Sequence, residues 1–198
     1  MAVIQLELEQ LKILRAKKRW KLYFVVVTEH PEEEDKMVMT YIPQPQTGES
    51  FFRVKPNAEN QLFFEPQGAV GADGLIVKER EMPEDRSVKV RMYLRHSRRS
   101  TRNAGNFLKD MEKELGGDAL GLVSDILGST GTWLVIAKKA MPMIGNALSK
   151  VKDRDFGAVV MDEEFGAEFE NQEELDRENK FTSGDANIVW SWAVKQDE

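Results

Sequence analysis

The 198-residue chain has no cysteine and only two histidines. The first absence removes disulfides, thiolate metal sites and a cysteine nucleophile, so stability has to come from packing. The second leaves His30 and His96, each beside charged residues, and no Ser, His and Asp triad can be assembled from spacing. Zinc held by histidine and carboxylate has the same shortage of ligands. Phosphate loops are missing too: Gly68, Gly71 and Gly74 are followed by neither a helical pattern nor the lysine that such a loop needs. Gly128 to Gly131 has no strand leading into it, which excludes a nucleophile elbow. No apolar run reaches the roughly 20 residues of a membrane-spanning helix. Glu7 and Glu9 interrupt the first apolar stretch, Met1 to Leu14, which has no basic n-region or small-residue cleavage site. The expectation is a cytoplasmic protein.

What the chain does contain is a globular balance, with 41% hydrophobic and 31% charged residues. The net charge of -6 is unevenly spread. Residues 162 to 198 hold 12 acids against Arg177, Lys180 and Lys195, a net of -9, which leaves residues 1 to 161 at +3. Such segregation makes a dipolar surface suited to charged partners or other copies of the chain. The pI near 5.2 disfavours generic nucleic-acid binding.

Hydrophobic periodicity points to strands over most of the length. Ile4, Leu6 and Leu8 alternate with polar residues and then slip in phase to Leu11 and Ile13, which predicts a bulge or a break. Trp20 to Val27 is apolar on both faces and reads as a central strand, a natural antiparallel partner for the first run. Short runs follow at Met37 to Ile42, Phe51 to Val54, Leu62 to Phe64, Leu75 to Val77 and Val88 to Leu94. Proline and glycine turns separate them. Strands return at Phe156 to Met161 and Ile188 to Val194, with an acidic loop between.

The period changes in the middle. Ser100 or Thr101 is placed to cap a helix carrying Phe107, Leu108, Met111 and Leu115, ending at Gly116 and Gly117. Asp118 is placed to cap a second. A third stretch, Thr132 to Lys150 with Pro142 inside, puts Trp133, Ile136, Ala140, Ile144 and Leu148 on one stripe. The expected fold is therefore mainly β (α+β): one domain, an antiparallel sandwich from residues 1–98 and 155–195 with two or three helices inserted at about 100–152.

Three groups of residues invite a function. Arg15, Lys17, Lys18 and Arg19, with Arg95, Arg98, Arg99 and Arg102, form a basic patch for phosphates or carboxylates if both turns lie at one end of the sandwich. The stripe from Trp133 to Leu148 offers a helical interaction face, although packing on a sheet is the plainer account. Acids cluster at Glu29, Glu32, Glu33, Glu34 and Asp35, and again at Asp162, Glu163 and Glu164. End loops rich in carboxylates bind calcium in C2 domains, an analogy of architecture that makes calcium at Asp162, Glu163 and Glu164 the one cofactor to test. Solvated acidic loops are the plainer account here too.

The leading expectation is a non-catalytic interaction or assembly module, binding itself or partner proteins through the charge patches and the helical face. The alternative is a peripheral binder of anionic membrane surfaces or lipid headgroups, assisted by calcium. A hydrolase using carboxylates such as Asp162 and Glu164 comes last.

Overall fold

The computed structural model describes residues 2–14, 20–42, 52–54, 62–64, 75–98, 104–116, 133–151, 153–171 and 174–196. Its strands are β1 (Ala2–Ile13), β2 (Trp20–Glu29), β3 (Lys36–Ile42), β4 (Phe52–Val54), β5 (Leu62–Phe64), β6 (Leu75–Glu81), β7 (Ser87–Val88), β8 (Val90–His96), β9 (Trp133–Ala137), β10 (Arg154–Val160), β11 (Glu163–Glu164), β12 (Glu174–Lys180) and β13 (Ala186–Gln196). Among the described residues three short helices accompany them, α1 (Ala104–Leu115), α2 (Ile144–Lys150) and α3 (Glu168–Asn171), with a 3-10 helix at Lys138–Met143.

Every strand pairing among these residues is antiparallel. The first sheet has the order β12-β13-β1-β5, with β6 also on β1; the second has the order β10-β8-β2-β3-β9, with β4 also on β2. They form a sandwich. Ile4, Leu6, Leu8, Leu11 and Ile13 from β1 and Ile188, Trp190 and Trp192 from β13 meet Trp20, Leu22, Phe24 and Val26 from β2 and Val90, Met92 and Leu94 from β8. The phase slip in β1 is a bulge: the register shifts between Leu8 and Gln10, so Glu9 is the extra residue and both halves keep their apolar side inward.

The second sheet is covered on its other face as well. Tyr23, Val25 and Val27 alternate with the core residues of β2 and join Met37, Met39 and Tyr41 of β3 in a second apolar layer. Phe107, Leu108, Met111 and Leu115 of α1 close it, with Ile144, Ala147 and Leu148 of α2. Tyr23 and Tyr41 stack at 4.8 Å between centroids, and Phe107 meets them at 5.7 and 5.3 Å. Aromatic contacts of this kind anchor the helix on the sheet. α1 stops at Gly116, whose φ of 104° suits the residue type.

Four expectations need correction or restriction. β1 and β2 are not paired but face each other across the core, because β2 has two apolar faces and takes the centre of its sheet between β3 and β8. Trp133–Ala137 is a strand along β3 and not the start of a third helix; a run of bulky and β-branched residues fits either period, and the strand places Leu134 and Ile136 on the sheet. The acidic loop contains β11, α3 and the edge strand β12. The expected cap at Ser100 or Thr101 and the helix after Asp118 lie outside the described residues.

Gly157 sits in β10 with φ +89°, where the register against β8 shifts between Asp155 and Ala158. A Cβ there would lie 2.0 Å from Thr182 Oγ1, whose hydroxyl accepts the Ala158 N–H at 3.0 Å. Gly157→Ala should lower the unfolding free energy by about 2 to 4 kcal/mol, combining positive φ with a clash. Gly184→Ala, at φ +73° in open space, should cost only about 1 kcal/mol by the same denaturant titration. Equal costs would remove the close approach as the reason for glycine at 157.

Candidate functional site

An open cleft of about 750 Å³ lies at one end of the sandwich. Its walls come from the end of β2 and the β2–β3 turn (Glu29, His30, Pro31, Glu32, Glu33, Glu34), the end of β6 and the following turn (Arg80 to Asp85), and Ser87 and Lys138. Seven carboxylates line it against the two cations Arg80 and Lys138.

Backbone amides build both rims. His30 Nδ1 accepts the N–H groups of Glu32 and Glu33 at 3.2 and 3.1 Å, which folds the β2–β3 turn around the ring. On the opposite rim Asp85 accepts the Ser87 N–H at 3.1 Å and its hydroxyl at 2.9 Å. Glu29 joins the walls. Its carboxylate takes Lys138 Nζ at 2.8 Å and the Lys89 N–H at 3.2 Å, while its carbonyl accepts Arg80 Nη1 at 3.1 Å.

These bonds fix the charge states. The Ser87 N–H, then its hydroxyl, holds the Asp85 carboxyl below its ordinary value, and the Lys36 ammonium does the same for Glu33. The hydrogen bond to Glu29 raises Lys138. Burial pushes the Arg80 guanidinium down, with Glu29 and Asp85 opposing the effect. Glu33 and Asp85 therefore stay anionic across the neutral range.

The expected basic patch is divided. Arg15, Lys17, Lys18, Arg19, Arg99 and Arg102 lie outside the described residues. Arg98 is exposed and its N–H donates to Asp153 Oδ1 at 3.1 Å. Arg95 is fully buried, which corrects its place on a surface patch. It points from β8 into the layer under α2, where Nη2 donates to the carbonyls of Val151 and Asp153 at 3.2 and 3.4 Å and Nη1 lies 3.4 Å from Asp155. Tyr23 donates to Asp153 Oδ2 at 2.8 Å beside it. The group fastens the connection between α2 and β10 to the sheet.

The helical interaction face is corrected as well. Ile136, Ala140, Ile144 and Leu148 are buried against the second sheet, and only the backbone of Trp133 is described. The stripe is internal packing. Asp162, Glu163 and Glu164 do not converge on a common point. Asp162 accepts the Val90 N–H at 2.9 Å and pairs with Arg91, and Glu163 takes Arg177 through two bonds of 3.0 and 3.1 Å. Arg177 is raised by Glu163 and Glu168 together. Among the described residues no three His, Asp or Glu side chains form a group able to hold a metal ion, and no helix is long and apolar enough to cross a membrane.

The acids at Glu29 to Asp35 were visible in the sequence, but their partners across the cleft were not. Arg80, Glu81, Glu84, Asp85 and Lys138 are brought in by pairings of β6 and β9 more than 40 residues away in sequence. The turn signal at Pro83 is the only local hint.

No family model and no curated protein matches the chain. Among solved structures it is similar to one described as a structure of Drosophila C2-DSL-EGF1, with a TM-score of 0.41 and 7% identity over 100% of this chain and 68% of that one. A likeness this distant says nothing about activity.

His96 packs edge-on against Trp20, with centroids 4.7 Å apart, and its Nδ1 lies 3.1 Å from the Lys21 N–H. Burial lowers its pKa from the ordinary 6.5; nearby Arg154 and Lys21 act in the same direction, against the Lys21 carbonyl and Asp153. Well above pH 6.5 the ring is neutral whether folded or unfolded. Below it the unfolded chain takes up the proton first, so stability falls until the pH passes the lower folded-state value. His96→Asn should reduce the loss in denaturation midpoint between pH 7.5 and 5, relative to the unmodified chain. An unchanged loss would show that other groups carry it.

Proposed function

We propose that this chain is a non-catalytic assembly module that binds further copies of itself through the acidic cleft, with a basic surface of the next copy as its complement. The observation that carries the reading is that seven carboxylates line the cleft against two cations, with backbone N–H groups bonded to His30 on one rim and to Asp85 on the other. The complement is in the same chain. Arg15, Lys17, Lys18 and Arg19, and Arg98, Arg99 and Arg102, are two runs of cations in the first 161 residues, whose net charge is +3; of the seven, Arg98 lies among the described residues. A contact between unlike patches is heterologous, so it builds rings or open filaments, and opposite fields speed the encounter. Other proteins with a basic surface are partners of the same chemistry.

The lipid-headgroup reading has less support. It keeps the exposed Arg98 but loses the buried Arg95. A hydrolase acting through Asp162 has less still, since that carboxylate is engaged by Arg91 and the Val90 N–H.

Charge-driven assembly is weakened by screening. Light scattering after size exclusion should give a mass above that of one 22.6 kDa chain at low salt and a single chain at high salt. A Glu32→Lys, Glu34→Lys, Glu84→Lys variant should remain single at both. A monomer at low salt over a wide concentration range, or an oligomer indifferent to salt, would overturn the proposal.

A further inference from the structure

The first sheet ends on β12, which pairs with β13 and with no other strand among the described residues. Antiparallel pairing fixes which of its backbone groups face outward. Phe181 donates its N–H to the Ala186 carbonyl at 2.9 Å, so this pair is of the hydrogen-bonded kind. Stepping back by two residues makes Asn179 with Ile188, Arg177 with Trp190, and Leu175 with Trp192 the other bonded pairs. Glu174, Asp176, Glu178 and Lys180 therefore turn their N–H and C=O groups to the open edge. The Lys180 N–H already has an acceptor in Asn179 Oδ1 at 2.7 Å. The three positions with backbone groups on offer are all acidic, and all are exposed.

The side chains on the opposite face of β12 are occupied. Leu175 packs against the core, and Arg177 is held by Glu163 and Glu168. A second copy of β12 is a poor guest. Pairing two such strands antiparallel about Arg177 sets Asp176 opposite Glu178 twice over and Arg177 opposite its copy, three like pairs against the two attractive pairs of Glu174 with Lys180, and like charges directly opposite destabilise a sheet.

We propose that the open edge of β12 is a docking site for an extended cationic segment of another protein, added as a strand, with Lys or Arg at alternate positions facing Glu174, Asp176 and Glu178. Main-chain bonds would hold the guest and the alternate acids would select it. This site shares no residue with the cleft, so the two proposals stand or fall separately.

The probe is a labelled, end-capped heptapeptide of alternating lysine and threonine, with a glutamate and threonine peptide as control, both titrated against the Glu32→Lys, Glu34→Lys, Glu84→Lys chain so that the cleft does not contribute. The cationic peptide should bind saturably, the acidic one should not, and the Asp176 and Glu178 amides should gain protection from hydrogen exchange. Asp176→Asn removes a charge and keeps the N–H, so it should weaken binding several-fold; Asp176→Pro also removes the outward N–H and should weaken it further, by tenfold or more. Should the proline variant fail to fold, a peptide N-methylated at its lysines tests the same bonds from the other side. Absence of binding, equal binding of the acidic peptide, or indifference to both backbone changes would overturn strand addition.

Discussion

A strand that is apolar on both faces needs a cover on each, and β2 is such a strand. Trp20, Leu22, Phe24 and Val26 point into the sandwich, and Tyr23, Val25 and Val27 point the other way, all of them buried. Each such side chain is worth roughly 1.5 to 3 kcal/mol when removed from water. One sheet can cover only one side. The second cover must come from elsewhere in the chain, and α1 and α2 supply it. The helical segment is thus committed to the fold, which is why Ile136, Ala140, Ile144 and Leu148 are internal and not a docking surface.

This layering also decides where charge is allowed. With both faces of the second sheet dry, ionic groups are pushed to the ends and edges unless they are satisfied inside. Arg95 is the exception and is satisfied only in part: Nη2 bonds two carbonyls where α2 hands over to β10 and Nη1 lies near the Asp155 carboxylate, while Nε and Nη1 make no hydrogen bond. A buried guanidinium left without those acceptors would be costly, so its presence favours one way of seating the helical layer on the sheet. The carboxylates, lacking any such internal place, collect around the cleft and along β12.

Legibility in the sequence follows the range of the contacts involved. The bulge at Glu9, the alternation of β8 and the stop at Gly116 depend on neighbours a few residues away, and the pattern of apolar and turn residues reveals them. The choice of partner for β1 depends on Ala186 to Gln196 at the far end of the chain, and no local signal records it. Trp133–Ala137 was misread because an apolar run of five fits a strand and a buried helix equally. β12 was missed for the opposite reason: Glu174–Lys180 carries little strand propensity, and the pairing with β13 overrides it. At the site, the acids of the β2–β3 turn were plain, while their convergence with Arg80, Asp85 and Lys138 is a product of topology.

The two sheets protect their edges by different means. At β10 the Thr182 hydroxyl accepts the Ala158 N–H, the Ala158 carbonyl accepts the Thr182 N–H, and the Phe156 carbonyl accepts the Ser183 N–H, so the turn after β12 occupies that edge. Gly157 permits the close approach. At β12 no strand covers the edge among the described residues, and repulsion between its acids does the work against self-pairing. A steric block is indifferent to the partner's charge and to salt. An electrostatic block is conditional, because a cation of the right spacing turns the same repulsion into attraction. An edge guarded in this way is closed to copies of itself and open to a guest of opposite charge.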